Sequence, residues 1–406
     1  MKKPPRNFNP EPFAYHEEVE VTIEDLTNLG QGVGRIDGWV VFIPFALPGE
    51  RVRARIWRNK KAYSEADLIE VLSPSEDRVD PVCPLFRTCG GCQYQHYAYT
   101  AQLEWKRRQI EDLLKKMAGL SHAVNPTLGC TDHTYHYRSK ITPHFRRPPT
   151  EPDTPIGFQK ADSRAVVDVP SCPIASLSIN QRLASAREEL RAGKVTYKKG
   201  GTLLLRDSCE GVITDMKALA EEKVGPYAFQ FVAGEFFQNN PHVLPRMVDY
   251  ALDRAAAPGI ENLVDAYCGV GVFGICGHDR FEAVAGIEVS ERAVELARGN
   301  AARNKVGNVR FMLGKADAIF DGLSFPPGKT TVLMDPPRKG SDPAFLQQLL
   351  QFGPARVVYV SCGPDTQARD ITALLDGPYK VVDIQPVDLF PQTRHIENII
   401  TLERKE

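Results

Sequence analysis

The sequence predicts an α/β protein of several domains. A Rossmann-like domain lies at the C-terminal end, a small mainly β domain precedes it, and an OB-like β-barrel stands at the N-terminal end. Three observations predict this. From Asn262 onward, strand-sized apolar runs alternate with amphipathic helical stretches, the pattern of a parallel sheet covered on both faces. From Val19 to Leu72 there are only short alternating runs broken by glycine turns, which suggests a small barrel. The 406 residues also exceed what one ordinary core holds.

Composition narrows the class. Hydrophobic residues make up 42% and charged ones 25%, as in a globular protein, and the apolar runs are too short for a membrane-spanning helix. Residues 1–14, MKKPPRNFNPEPFA, are basic without an apolar core, so they read as a flexible tail rather than a signal peptide. A formal net charge of −1 argues against binding nucleic acid by bulk charge and leaves room for local basic patches. Nine cysteines in a chain without an export signal point to the reducing cytoplasm, where clustered cysteines indicate metal or catalysis.

The barrel is expected over residues 15–73. In ERVRARIW, Arg51, Arg53 and Arg55 alternate with Val52, Ala54 and Ile56, so the arginines share one face. Arg58, Lys60 and Lys61 extend it. That face is either a solvated sheet surface or a phosphate-tracking one, with Trp57 and Tyr63 available for stacking.

Residues 74–235 form the expected middle domain. Cys83, Cys89 and Cys92 have the spacing C-x5-C-x2-C, and Cys172, followed by proline, is the best fourth ligand. The set points to a [4Fe-4S] cluster, with zinc or free thiols as alternatives. His96 reads as a surface residue, and Cys130 and Cys209 as buried or incidental. Residues 101–117 form a helix with Ile110, Leu113, Leu114 and Met117 on its apolar face and Lys106-Arg107-Arg108 on its wet face. Arg138, Lys140, His144, Arg146 and Arg147 alternate with apolar residues in a strand-like stretch and make a second candidate RNA face.

Residues 236–406 carry the candidate site. Asp265 ends the first strand of the alternating series and is followed by a glycine loop containing Gly269 and Gly271 in a G-x-G-x-x-G pattern. Glu288 ends the second strand and is placed to meet ribose hydroxyls. A nicotinamide cofactor is the rival reading, but Asp265 ahead of the glycines fits S-adenosylmethionine better. Asp317, after the third strand, either meets the adenine or caps a helix. The fourth strand ends in Asp335-Pro336-Pro337-Arg338, a motif type also used by amino-group N-methyltransferases. The fifth strand, RVVYVS, ends at Cys362. A lone cysteine is more often a packed thiol than a nucleophile. Glu397, however, begins a final antiparallel strand, so it shares the ligand-binding edge with Asp265, Glu288, Asp335 and Cys362. That convergence makes Cys362 a candidate nucleophile and Glu397 a candidate base.

Two stretches carry a resemblance. LGQGVGRIDGWVVFIPFALPGERV resembles the TRAM domain, an RNA-binding barrel. DAYCGVG, GIE, DPPRKG, SCGP and HIEN resemble the 5-methyluridine RNA methyltransferases. The resemblance implies a class I S-adenosylmethionine-dependent methyltransferase that acts on RNA; a monomer is expected. The branch it looks most like acts on 23S rRNA, because the bacterial transfer-RNA branch typically lacks both barrel and cysteine cluster; a tRNA uracil-54 enzyme is the alternative. It implies Gln238, Tyr267, Glu288 and Asp335 as cofactor contacts, Cys362 as nucleophile and Glu397 as base. Val272 stands where many members have asparagine, and Gly363 replaces the asparagine of the commoner SCNP. An N-methyltransferase and a non-catalytic ribosome-assembly factor are the competing classes.

Overall fold

A computed structural model describes residues 4–405 apart from 7, 152, 196, 198, 315–319 and 321. The chain divides into two compact units: Met1–Gln102 with Phe158–Val167 and Gln392–Arg394, and the remainder.

The first unit holds a closed barrel of β1 (Glu18–Leu26), β2 (Gln31–Ile36), β3 (Trp39–Pro44), β4 (Arg51–Asn59) and β5 (Tyr63–Ser73), in the order β1-β2-β3-β5-β4. β4 closes it by pairing antiparallel with both β1 and β5. Val21, Ile23, Val41, Ile43, Val52, Ala54 and Ile56 fill the interior, so the alternation in β4 falls as predicted. Register then decides the fate of the outer arginines. Arg51 meets Glu20, Arg53 meets Glu70 at 3.1 Å, Arg55 meets Asp67 at 3.2 Å and Arg58 meets Glu65 at 2.7 Å. The expected basic stripe is a ladder of exposed ion pairs.

The cysteines do not form the expected cluster. Among the described residues no group of three or more His, Cys, Asp or Glu side chains could hold a metal ion. The Cys83 amide donates to Gln95 Oε1, Cys89 makes a backbone bridge with Lys160 while burial pushes its thiol up, and Asn180 takes both the amide and the carbonyl of Cys172. The [4Fe-4S] cluster, its zinc alternative and a separate iron–sulfur domain are thus corrected. His96 is not on the surface either: it is buried beside Phe45 and Phe86, and burial drives its pKa down to about 3.

The second unit contains helix α1 (Tyr99–Ala118) from Leu103 on, and the helices α2 (Leu177–Arg191), α3 (Leu244–Ala255), α4 (Val272–Cys276), α5 (Glu291–Arg303), α6 (Pro343–Phe352) and α7 (Pro364–Leu375). Short strands β6 (Lys140–Ile141), β7 (His144–Phe145), β10 (Gly201–Thr202) and β11 (Leu205–Arg206) precede the hairpin β12 (Leu219–Val224) and β13 (Tyr227–Val232), while β8 (Gly157–Gln159) and β9 (Val166–Asp168) lie mostly in the first unit. The main sheet follows: β14 (Asn262–Ala266), β15 (Ala283–Glu288), β16 (Val309–Leu313), β17 (Thr330–Met334), β18 (Arg356–Ser361), β19 (Tyr379–Val387) and β20 (Glu397–Arg404), in the order β16-β15-β14-β17-β18-β20-β19. β14 to β18 are mutually parallel. β20 runs antiparallel between β18 and β19, as its short connection predicts.

Both faces are covered, which is why these strands read as continuous apolar runs. Met247, Val248 and Leu252 of α3 pack on one face with Phe229 and Phe231 of β13. Ile110 and Leu114 of α1, Phe345 of α6 and Ile371 of α7 pack on the other. Each such side chain contributes roughly 1.5–3 kcal/mol by burial. Two residues of α1 depart from the expected pattern: Met117 is exposed, and Lys106 is fully buried. Among the described residues no helix is long and apolar enough to cross a membrane.

Candidate active site

The site gathers at the carboxyl ends of the parallel strands. β14 delivers Asp265 into the core, where Oδ2 accepts from the Gly274 amide at 2.8 Å and Oδ1 is buried with no partner among the described residues. Burial, with Asp335 and Glu288 adding, pushes this carboxyl up to about 8. The chain then turns through Tyr267, whose φ of 62° is left-handed and whose ring packs on Phe345 at 5.1 Å. Gly269 follows with a φ of 53°, and a side chain there would meet only open space. At Gly271 a Cβ would lie 2.6 Å from the Phe311 ring, so only glycine fits. Glu288 braces the loop: Oε2 accepts from the Gly269 amide at 3.1 Å, and Oε1 from Val289 and Ser290. Gln238 has a buried Oε1 with no partner among the described residues. Open space at Gly269 and unpaired buried oxygens on Gln238 and Asp265 fit a polar nucleoside-bearing cofactor. Val272 opens α4 where a polar side chain was the commoner choice. Asp317 lies outside the described residues.

Register brings the reactive groups together. Ser361 of β18 pairs with Asn398 of β20, so Cys362 and Glu397 stand next to each other at the end of the ladder. The buried Gln367 of α7 locks that end, donating to the carbonyls of Tyr359 and Asn398 and accepting from Asn398 Nδ2. Glu397 is 2% exposed, and its Oε2 has no partner among the described residues. Burial, then repulsion from Asp335, holds it well above the usual carboxylate range, while Arg338 opposes. Burial pushes Asp335 up to about 7. The half-buried Cys362 thiol is pushed up to about 12 by burial, Glu397 and Asp335, again against Arg338.

Gly363 has a steric reason. A Cβ there would lie 2.8 Å from Thr366 Oγ1 and 2.9 Å from the Arg338 carbonyl, so the commoner asparagine does not fit this backbone. Thr366 Oγ1 sits within bonding distance of the carbonyls of both Gly363 and Arg338, joining the two loops. Cys268, the other thiol of the region, is buried in the core, and burial raises it far above its ordinary value.

Several contributors were not anticipated. Arg338 is exposed, and its guanidinium lies 3.0 Å from His395 Nδ1. Lys106 makes a buried ion pair with Asp388 at 2.7 Å. Helical spacing could have found it, since Lys106 shares a face with Ile110 and Leu113. The second expected RNA face is partly consumed: Lys140 donates to the carbonyls of Gly234 and Glu235, and Arg138 lies over the Phe390 ring.

Comparisons follow from this geometry. A family profile described as TRAM domain matches residues 16–69, and one described as tRNA (Uracil-5-)-methyltransferase matches 212–324 and 328–405. A tRNA (uracil(54)-C(5))-methyltransferase of Schizosaccharomyces pombe is 41% identical, covering 97% of this chain and 79% of its own. Its namesake in Saccharomyces cerevisiae is 32% identical, covering 96% and 74%. A solved structure of Pyrococcus abyssi tRNA (uracil-54, C5)-methyltransferase with S-adenosyl-L-homocysteine superposes with a TM-score of 0.74 at 24% identity, over 94% of this chain and 99% of that one, which shows the fold. The expected likeness to the 23S rRNA branch is corrected by these relatives. They match both the barrel and the catalytic region, so the barrel does not mark the ribosomal branch.

Proposed function

The chain belongs to the TRAM-containing RNA uracil-5-methyltransferase family, and from that premise we propose that its target is uridine 54 of tRNA. It is an S-adenosylmethionine-dependent RNA (uracil-5-)-methyltransferase. The observation that carries the target is the 41% identity, over nearly the whole chain, to a tRNA (uracil(54)-C(5))-methyltransferase.

The site supports a mechanism in which Cys362 is the nucleophile and Glu397 the base. S-adenosylmethionine supplies the electrophilic methyl group, and Gln238, Tyr267, Gly269, Gly271, Glu288 and Asp335 are the residues that would hold it. Carbon 5 of uracil is a weak nucleophile. The Cys362 thiolate adds to carbon 6 of a uracil flipped out of the RNA stack, and the electron pair moves to make carbon 5 an enolate carbon. Once carbon 5 has taken the methyl group, with S-adenosylhomocysteine left as the by-product, Glu397 in its ionised form removes the carbon 5 proton, and the electrons of that C–H bond restore the 5,6 double bond and expel the Cys362 thiolate. A thiol raised to about 12 is a poor nucleophile in the ligand-free protein, so its activation depends on Arg338 and on cationic charge arriving with the cofactor.

The test is transfer of labelled methyl from S-adenosylmethionine to tRNA. Wild-type tRNA should be methylated and a transcript with cytidine at position 54 should not. Equal labelling of the two would sink the target assignment.

A further inference from the structure

Lys106 is fully buried, and its ammonium is surrounded by oxygens from one stretch of chain. It donates to Asp388 Oδ1 at 2.7 Å, to the His395 carbonyl at 2.9 Å and to the Phe390 carbonyl at 3.4 Å. Asp388 is equally buried. Its Oδ1 also accepts from the Phe390 amide at 3.0 Å, while Oδ2 has no partner among the described residues. An ion pair this deep adds little net stability, because desolvation offsets the attraction. Its geometry suggests a different use. All three acceptors lie in the segment that leads into Glu397.

The last of them, His395, continues the path. Its ring meets the edge of Phe390 with centroids 5.8 Å apart, and its Nδ1 lies 3.0 Å from the Arg338 guanidinium. Arg338 is the cation acting on both Cys362 and Glu397, and the other charged groups acting on the thiol, Glu397 and Asp335, are carboxyls. A continuous path therefore runs from the buried ammonium, through the backbone and ring of His395, to the cation that favours a thiolate at Cys362.

We propose that Lys106 and Asp388 are positioning residues for the methyl transfer, fixing His395 and through it Arg338 beside Cys362 and Glu397. The proposal rests on the reading of Cys362 as nucleophile and Glu397 as base.

The experiment measures covalent trapping of tRNA carrying 5-fluorouridine, with S-adenosylmethionine, as a function of pH. Lys106→Met alone leaves Asp388 as an unpaired buried charge, which threatens folding. The double variant Lys106→Met/Asp388→Asn removes both charges, and its fold is checked by circular dichroism and melting. The folded double variant should bind tRNA as wild type does. Its trapping rate near neutral pH should fall about tenfold, and the midpoint of its pH profile should rise by about one unit, because the thiol loses a nearby cation. His395→Ala should shift the midpoint the same way, and adding it to the double variant should give no further shift. A folded double variant with the wild-type pH profile overturns the proposal. If the double variant does not fold, His395→Ala decides: an upward shift supports the path and an unshifted profile rejects it. Cys362→Ala is run alongside; trapping in that variant would refute the nucleophile rather than the positioning residues.

Discussion

The barrel wall and the sheet edge that carries the candidate site treat charge in opposite ways. On the barrel, four arginines of β4 stand in solvent, each facing a carboxylate on a neighbouring strand. At the sheet edge, Asp335 acts on both Asp265 and Glu397, the Arg338 guanidinium opposes it only at Glu397, and buried oxygens on Asp265 and Glu397 have no partner among the described residues. Matched, wet charges contribute little and can be changed freely. Crowded, desolvated ones cost stability and are kept for what they do. Residues 15–73 contain ten acidic and seven basic side chains, so the barrel does not attract RNA by net charge.

The sharpest way to break this contrast is at the sheet edge. Cys362→Ala should abolish both covalent trapping and methyl transfer. Glu397→Gln should lower turnover by about 10²–10⁴ while letting a covalent RNA adduct accumulate on ordinary tRNA, seen as a shifted band on a denaturing gel. The buried Cys268→Ala should leave turnover within a few-fold of wild type. If Glu397→Gln lost the adduct along with turnover, its role would be to activate the thiol and not to take the carbon 5 proton.

A smaller effect lies in the pH dependence of stability. Asp335 and Asp265 titrate near 7 and 8 in the folded protein, far above the ordinary value of 3.8. Between pH 3.8 and about 7 or 8 the folded state holds protons that the unfolded state has released. The stabilisation is thus complete at low pH and is lost as pH rises through about 7 and 8. The melting temperature of the ligand-free protein should therefore fall between pH 6 and 8.5, and Asp265→Asn should flatten the slope. A melting temperature that rises over this window would contradict the burial of these carboxyls.

The smallest effect belongs to the barrel. Replacing Glu20, Asp67 and Glu70 together by glutamine should change stability by less than about 1 kcal/mol for each pair. The freed arginines should strengthen non-specific RNA binding and steepen its salt dependence by roughly one unit of log–log slope each. An unchanged slope would mean that this wall does not meet RNA at all.

The sequence revealed whatever depends on local pattern. Strand ends were legible, so Asp265, Glu288, Asp335, Cys362 and Glu397 could be placed on one edge before any coordinates, and so could the antiparallel β20. Properties that depend on register or on packing between distant segments were not. The arginines of β4 were visible, but their carboxylate partners come from β1 and β5. Lys106 looked solvated because it begins a run of three cations, although helical phase places it with Ile110. The cysteine spacing showed proximity along the chain, and Asn180 and Gln95 are what engage those segments in space. Gly363 was noted as a departure, and only the approach of the Arg338 carbonyl explains it.

The placement of β20 has a further consequence. This strand is hydrogen-bonded on both sides, to β18 and to β19, and its first six residues, Glu397 to Leu402, are all buried. Its amides can exchange with solvent only when two ladders part together, which places Asn398 to Leu402 among the slowest-exchanging positions of the fold. The doubly paired backbone thus begins one residue after Glu397, which itself pairs with Val387 of β19 at the end of the ladder. Glu397 is thus carried on the end of a core strand and not on a loop.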